Sequence, residues 1–113
     1  MTHDEHVDGS LTRDEALSIA NRYILALKTD LDVQHAYLFG SCAKGIARED
    51  SDIDIAIVSS DFQGNPVDDL LRLMRVRRNV DYRIEPHPFL PAAMDSRDPF
   101  FLEVQRNGIS LIQ

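Results

Sequence analysis

The chain is poor in the features that would define several protein classes at once. Its 113 residues hold one cysteine and no tryptophan, and aromatics make up 7% of the total. A single Cys42 forms no internal disulfide and has no CxxC or CxxH neighbour, which excludes a disulfide scaffold and gives no zinc signature. No run of about 18 or more apolar residues is present, so no segment is expected to span a membrane. The opening MTHDEHVDGS is acidic and His-containing where a secretory signal needs a basic region followed by an apolar one. A cytoplasmic protein is the resulting expectation. Positive charge is also short, with 12 basic residues against 19 acidic ones for a net charge of -7. An acidic surface repels a phosphate backbone, which disfavours general nucleic-acid binding.

What remains is an ordinary globular composition, 43% hydrophobic and 27% charged, of a length that suits one domain. Residues 1–10 carry no periodicity and read as a flexible tail, with His3 and His6 more simply solvated than metal-bound; the domain is expected over residues 11–113. Thr12 and Glu15 have capping-box spacing, and Ala16, Ile19, Ala20, Tyr23, Ile24 and Leu27 follow on one helical stripe. Val33 to Phe39 reads as a strand stopped by Gly40. Ile53 to Val58 reads as a second strand, apolar on both faces and therefore internal to a sheet. Asn65-Pro66 marks the start of another helix. Val67, Leu70, Leu71 and Met74 are its expected buried stripe, and Arg72, Arg75, Arg77 and Arg78 its expected solvated end. A third strand is expected over Val80 to Glu85, ended by Pro86, with PHPFLP irregular. A last helix runs from Asp98-Pro99 to Arg106, stopped at Asn107-Gly108. The sum is an α/β (α+β) fold, a small mixed sheet with flanking helices.

The chemistry concentrates between Tyr37 and Val58. Asp52 and Asp54 stand at i and i+2 of a strand, so both carboxylates leave one face about 6.5 Å apart along the chain. Paired hard carboxylates suit divalent cations of the kind that assist an in-line displacement at phosphorus. Gly40-Ser41 follows the preceding strand directly, where a glycine lets the backbone approach a phosphate and a hydroxyl donates to it. Gly45, Lys44 and Arg48 extend that reading. A third carboxylate is expected to complete the site, and Asp81 and Glu85 are rivals for it.

Gly40-Ser41, Gly45 and Ser51-Asp52-Ile53-Asp54 spell G-S-x-x-x-G-x(5)-S-D-x-D. This resembles the signature of the DNA polymerase beta-like nucleotidyltransferase superfamily, and the whole segment resembles its smallest, minimal members. Arg78 to Ile84 resembles the superfamily's third-acid strand, R-x-[VI]-D-x-R-[IL], which favours Asp81 over Glu85. The resemblance implies a nucleotidyltransferase fold and transfer of a nucleoside monophosphate from an NTP, ATP foremost, to a hydroxyl with release of pyrophosphate. It further implies two Mg²⁺ ions, or Mn²⁺, on the catalytic and metal-binding residues Asp52, Asp54 and Asp81, with phosphates at Gly40, Ser41, Lys44 and Arg48. Minimal nucleotidyltransferases pair with small helical HEPN proteins, and this chain resembles the antitoxin half of such toxin-antitoxin modules, which adenylylates a tyrosine of its partner. The competing expectation is a binding module that neutralises a partner without catalysis.

Overall fold

A computed structural model describes residues 11–45 and 51–111. The proposed tail at residues 1–10, with His3 and His6, lies outside the described residues, as does Arg48. Helix α1 (Arg13–Leu27) begins with the expected capping box, in which the Thr12 hydroxyl accepts from the Glu15 amide and the Glu15 carboxylate accepts from the Thr12 amide. Two of the amides that a helix start leaves without partners are thereby satisfied. All six apolar residues of its stripe are buried. The Tyr23 hydroxyl among them donates to the Leu73 carbonyl at 2.8 Å, and burial pushes its pKa far up.

Strand β1 (His35–Phe39) leads through Gly40 into a short helix, α2 (Ser41–Lys44). Strand β2 (Ile53–Val58) returns antiparallel to β1, helix α3 (Pro66–Arg77) crosses over, and strand β3 (Ile84–Phe89) lies parallel to β2. A 3₁₀ turn (Pro91–Asp95), helix α4 (Pro99–Asn107) and the two-residue strand β4 (Ile109–Ser110) complete the chain. The sheet order is β3-β2-β1-β4, so β2 is internal, as its two apolar faces require. Ile53, Ile55 and Ile57 point to one face and bury completely with Ala36, Leu38 and Ile84 against α1 and Leu73 of α3. Burial of each isoleucine contributes about 1.5–3 kcal/mol. On the other face Phe101 of α4 packs its ring against Tyr37 and Phe89. The sheet is thus covered on both sides, a mixed α/β domain.

Three expectations fail here. The third strand starts four residues later than expected and includes the segment PHPF. Arg83 and Phe89 direct their carbonyls to β2, accepting from the Ile53 and Ser59 amides at 2.8 and 3.1 Å. In a parallel pair, alternate residues face the partner. Pro86 and Pro88 therefore face the open edge, where the missing N–H costs no ladder bond. The stripe expected to be buried on α3 is also wrong: Asp69 and Leu73 are its buried residues, and Val67, Leu70 and Leu71 are exposed. Asp69 is buried because its carboxylate accepts from the Gln63 and Gly64 amides at 2.8 and 3.0 Å, closing the loop before the helix. Arg77, expected in solvent, folds back so that its guanidinium donates to the Tyr82 carbonyl at 3.1 Å, bracing the turn that leads into β3.

Candidate functional site

The site is built at the end of the sheet where β1 stops and β2 starts. Gly40 ends β1 at φ 77°, a left-handed value that a side chain resists, and its carbonyl accepts from the Ala43 and Lys44 amides to start α2. A second constraint acts on the same residue. A Cβ at position 40 would stand 2.6 Å from Oδ2 of Asp54, so the turn and that carboxylate are in direct contact. Gly45 ends α2 at φ 76°, again left-handed, and its amide donates to the Cys42 and Ser41 carbonyls.

Strand pairing sets Phe39 opposite Asp54 on one side and Glu85 opposite Asp54 on the other. These three positions therefore share one face of the sheet, opposite the isoleucines. The imidazole of His87 is on the same face, with Nε2 at 3.3 Å from Asp54 Oδ1. Asp54 is thus flanked on two sides, by the Gly40 backbone close to one oxygen and by His87 at the other. Asp52, two residues earlier, is exposed at the strand entrance. Its carbonyl accepts from the thiol of Cys42 at 3.4 Å. Cys42 is completely buried, and burial followed by the nearby Asp54 charge pushes its pKa up to about 11. A neutral, buried thiol is a packing group and not a nucleophile.

The expected residues divide into three groups. Gly40, Ser41, Asp52 and Asp54 meet at this end of the sheet. Lys44 ends α2 with an exposed side chain. Asp81 precedes β3 and does not belong to it. Its carboxylate accepts from the Arg83 amide at 2.9 Å, from the Arg83 Nε at 3.0 Å and from the Arg83 Nη2 at 2.9 Å. Those bonds hold its pKa below the usual carboxylate range, and Arg22 of α1 adds to the effect, so Asp81 faces positive charge on the α1 side. Glu85, the rival acid, is the one that the strand register sets beside Asp54.

Reading the sequence alone missed His87 and the aromatic residues around it. Once PHPF is recognised as strand, His87 falls two residues beyond Glu85 and hence on its face; the prolines concealed that alternation. The His87 ring lies 5.1 Å from Phe39 and 6.1 Å from Phe100, and Phe39 and Phe100 are 5.6 Å apart.

Among the described residues no three His, Cys, Asp or Glu side chains converge closely enough to form a metal site by themselves. Mg²⁺ is typically held by one or two carboxylates together with substrate phosphates and waters, and Asp52 with Asp54 fits that donor set. The pair is hard and oxygen-only, with Asp52 exposed and Asp54 partly exposed.

A sheet of this order with a Gly-Ser turn packed on the second aspartate of a D-x-D strand is what a nucleotidyltransferase domain presents, and the family comparison agrees. The model of the family "Polymerase beta, Nucleotidyltransferase" matches residues 21–112, and the chain belongs to that family. No curated protein matches it. Among solved structures, it is similar to a protein from Sulfolobus solfataricus assigned provisionally as a nucleotidyltransferase, with 20% identity over 87% of this chain and 80% of that one and a TM-score of 0.62. It is similar to a mutant of the toxin-antitoxin MntA-HpeT, with 22% identity over 81% of this chain and 71% of the other and a TM-score of 0.62. A toxin-antitoxin crystallised with AMP-PNP matches at 23% identity over 81% and 72% of the two chains, again with a TM-score of 0.62. These likenesses concern the fold. Among the described residues no helix is long and apolar enough to cross a membrane.

Proposed function

We propose that the protein is a metal-dependent nucleotidyltransferase that moves a nucleoside monophosphate, AMP from ATP, onto a hydroxyl of a protein partner. The observation that carries this reading is the contact of the Gly40 turn with the Asp54 carboxylate, which sets a phosphate-approachable backbone against a metal-binding acid. Asp52 and Asp54 would hold two Mg²⁺ or Mn²⁺ ions. When bound, these ions neutralise the triphosphate charge and lower the pKa of the attacking hydroxyl. The Gly40-Ser41 turn would receive the β and γ phosphates, with Lys44 of α2 as a cation for them; Arg48, the other expected cation, lies outside the described residues.

In the transfer, the acceptor oxygen bonds to the α-phosphorus, the bond from that phosphorus to the pyrophosphate oxygen breaks, and the hydroxyl proton passes to a carboxylate. Glu85 is better placed than Asp81 for that third role, because it stands in register with Asp54 whereas Asp81 would have to leave Arg83. Likeness to toxin-antitoxin structures supports a protein partner. The resemblance of the motifs to minimal nucleotidyltransferases extends the proposal to a small helical HEPN toxin as that partner, with a tyrosine hydroxyl as the acceptor, in the cytoplasm. The test is incubation with Mg²⁺, α-labelled ATP and candidate helical partners, followed by mass analysis. A mass gain of one AMP on the partner, abolished by Asp52→Asn with Asp54→Asn, is the expected result.

A second reading has its own support. Val67, Leu70 and Leu71 are exposed along α3, an apolar surface suited to a protein partner. Neutralisation by simple coverage would follow if the Asp52→Asn, Asp54→Asn protein still neutralised its partner fully.

A further inference from the structure

We propose that Phe100, Phe39 and His87 form a stacking platform for the nucleobase of the bound nucleotide. This inference rests on the nucleotidyl-transfer reading and adds to it the part of the site that holds the base. The three rings are mutually within 6.1 Å, and one of them, His87, also reaches Asp54 at 3.3 Å. A nucleotide whose phosphates lie at Asp52, Asp54 and the Gly40 turn has its nucleoside one sugar away from them. The aromatic group borders that position on the same face of the sheet.

Phe100 is the exposed member. It leaves 45% of its surface open, whereas its neighbour Phe101 is 1% exposed and packs beneath it against Phe89 and Tyr37. Its position is fixed by the start of α4, where the Asp98 carboxylate accepts from the Phe100 amide at 3.1 Å and Pro99 occupies the first turn. From behind, the Phe89 ring stacks on it at 6.0 Å and 28°. A large apolar ring held this firmly at the border of a phosphate site, with open surface, offers a flat face to an arriving base. Stacking of a base on an aromatic ring tolerates every base, since each has a π-face. The rings supply area and no hydrogen-bond code, so the platform takes adenine and guanine alike.

The experiment measures binding, in the absence of an acceptor, of ATP, GTP and inorganic triphosphate by calorimetry with Mg²⁺, and the quenching of 2-aminopurine riboside triphosphate. Wild-type protein is expected to bind both nucleotides more tightly than triphosphate and to quench the probe. Phe100→Ala should weaken ATP and GTP by on the order of tenfold, leave triphosphate binding unchanged and relieve the quenching, while Phe100→Tyr keeps all three near wild type. Phe100→Ala protein that binds ATP as tightly as wild type, or wild-type protein that binds triphosphate as tightly as ATP, overturns the platform and leaves nucleotidyl transfer standing. Wild-type protein that binds neither triphosphate nor nucleotide overturns both readings.

Discussion

The backbone of Gly40 and the carboxylate of Asp54 touch: a methyl group at position 40 would fall 2.6 Å from Oδ2, and the φ of 77° would strain any side chain placed there. Gly40→Ala therefore carries two costs, the positive-φ backbone at about 1–3 kcal/mol and the displacement of Asp54. The first lowers stability and the second damages the site. Urea denaturation should show the loss of stability, and nucleotide binding should fall by more than that loss explains, since the fraction folded at low temperature stays near one. A Gly40→Ala protein that binds nucleotide normally would mean that Asp54 need not hold its place.

Glu85 and Asp81 can be separated by metal binding alone. Glu85 is exposed and in register with Asp54; Asp81 is engaged by Arg83. Glu85→Gln is expected to weaken Mn²⁺ binding in the presence of a non-hydrolysable ATP analogue several-fold, read by electron paramagnetic resonance of free Mn²⁺. Asp81→Asn should leave that titration close to wild type. The opposite ranking would restore Asp81 as the third acid.

Asp81 has a structural role with a definite pH signature. Arg83 lowers its pKa in the folded protein, so the group favours folding at pH values above the ordinary carboxylate range, and that contribution is lost as pH falls through the folded pKa. Hydrogen bonds to a charged group of this kind are worth about 1.5–3 kcal/mol. Asp81→Asn should lower stability by about this amount at pH 7 and flatten the loss of stability on acidification below about pH 4. Denaturant titrations at pH 7, 5 and 3 measure both.

The parts of the fold written in local spacing were legible in the sequence. The capping box, the stripe of α1, both ends of β2 and the Asn65-Pro66 helix start depend on residues within a few positions of one another. β3 was concealed because Pro86 and Pro88 forbid a central strand, and only the sheet order reveals an edge with alternate residues turned outward. The burial of α3 was misread because an apolar stripe says which residues could be covered and not that this chain covers them. The site divides the same way. Gly40, Ser41, Asp52 and Asp54 are near in sequence and were read together, whereas Glu85 and His87 come onto the face of Asp54 only through the β2–β3 register.

Cys42 should behave as an inert packing residue despite its place beside Asp52. It is fully buried with its pKa pushed up to about 11. A thiol reagent at pH 8 is expected to modify it only after addition of denaturant. Cys42→Ala removes a buried sulfur and its contact with the Asp52 carbonyl, which should cost on the order of 1 kcal/mol and reduce nucleotide transfer modestly. Cys42→Ser puts a more polar group in the same space, keeps a donor toward that carbonyl, and should recover transfer better than it recovers stability. Rapid labelling of the native protein would contradict the burial.

The exposed apolar residues of α3 separate folding from partner recognition. Val67 is 65% exposed, Leu70 39% and Leu71 51%, so none of them supports the core substantially. Replacing all three by Ser should change stability by no more than about 0.5 kcal/mol at each position. If a protein partner covers this face, the same change removes apolar area from the contact and should weaken the complex at least tenfold, with nucleotide binding intact. Calorimetry on the isolated protein and co-purification with the helical partner give the two measurements. A triple variant that retains full partner affinity would move the interface off α3, and a triple variant that unfolds would show that these residues are covered within the chain itself.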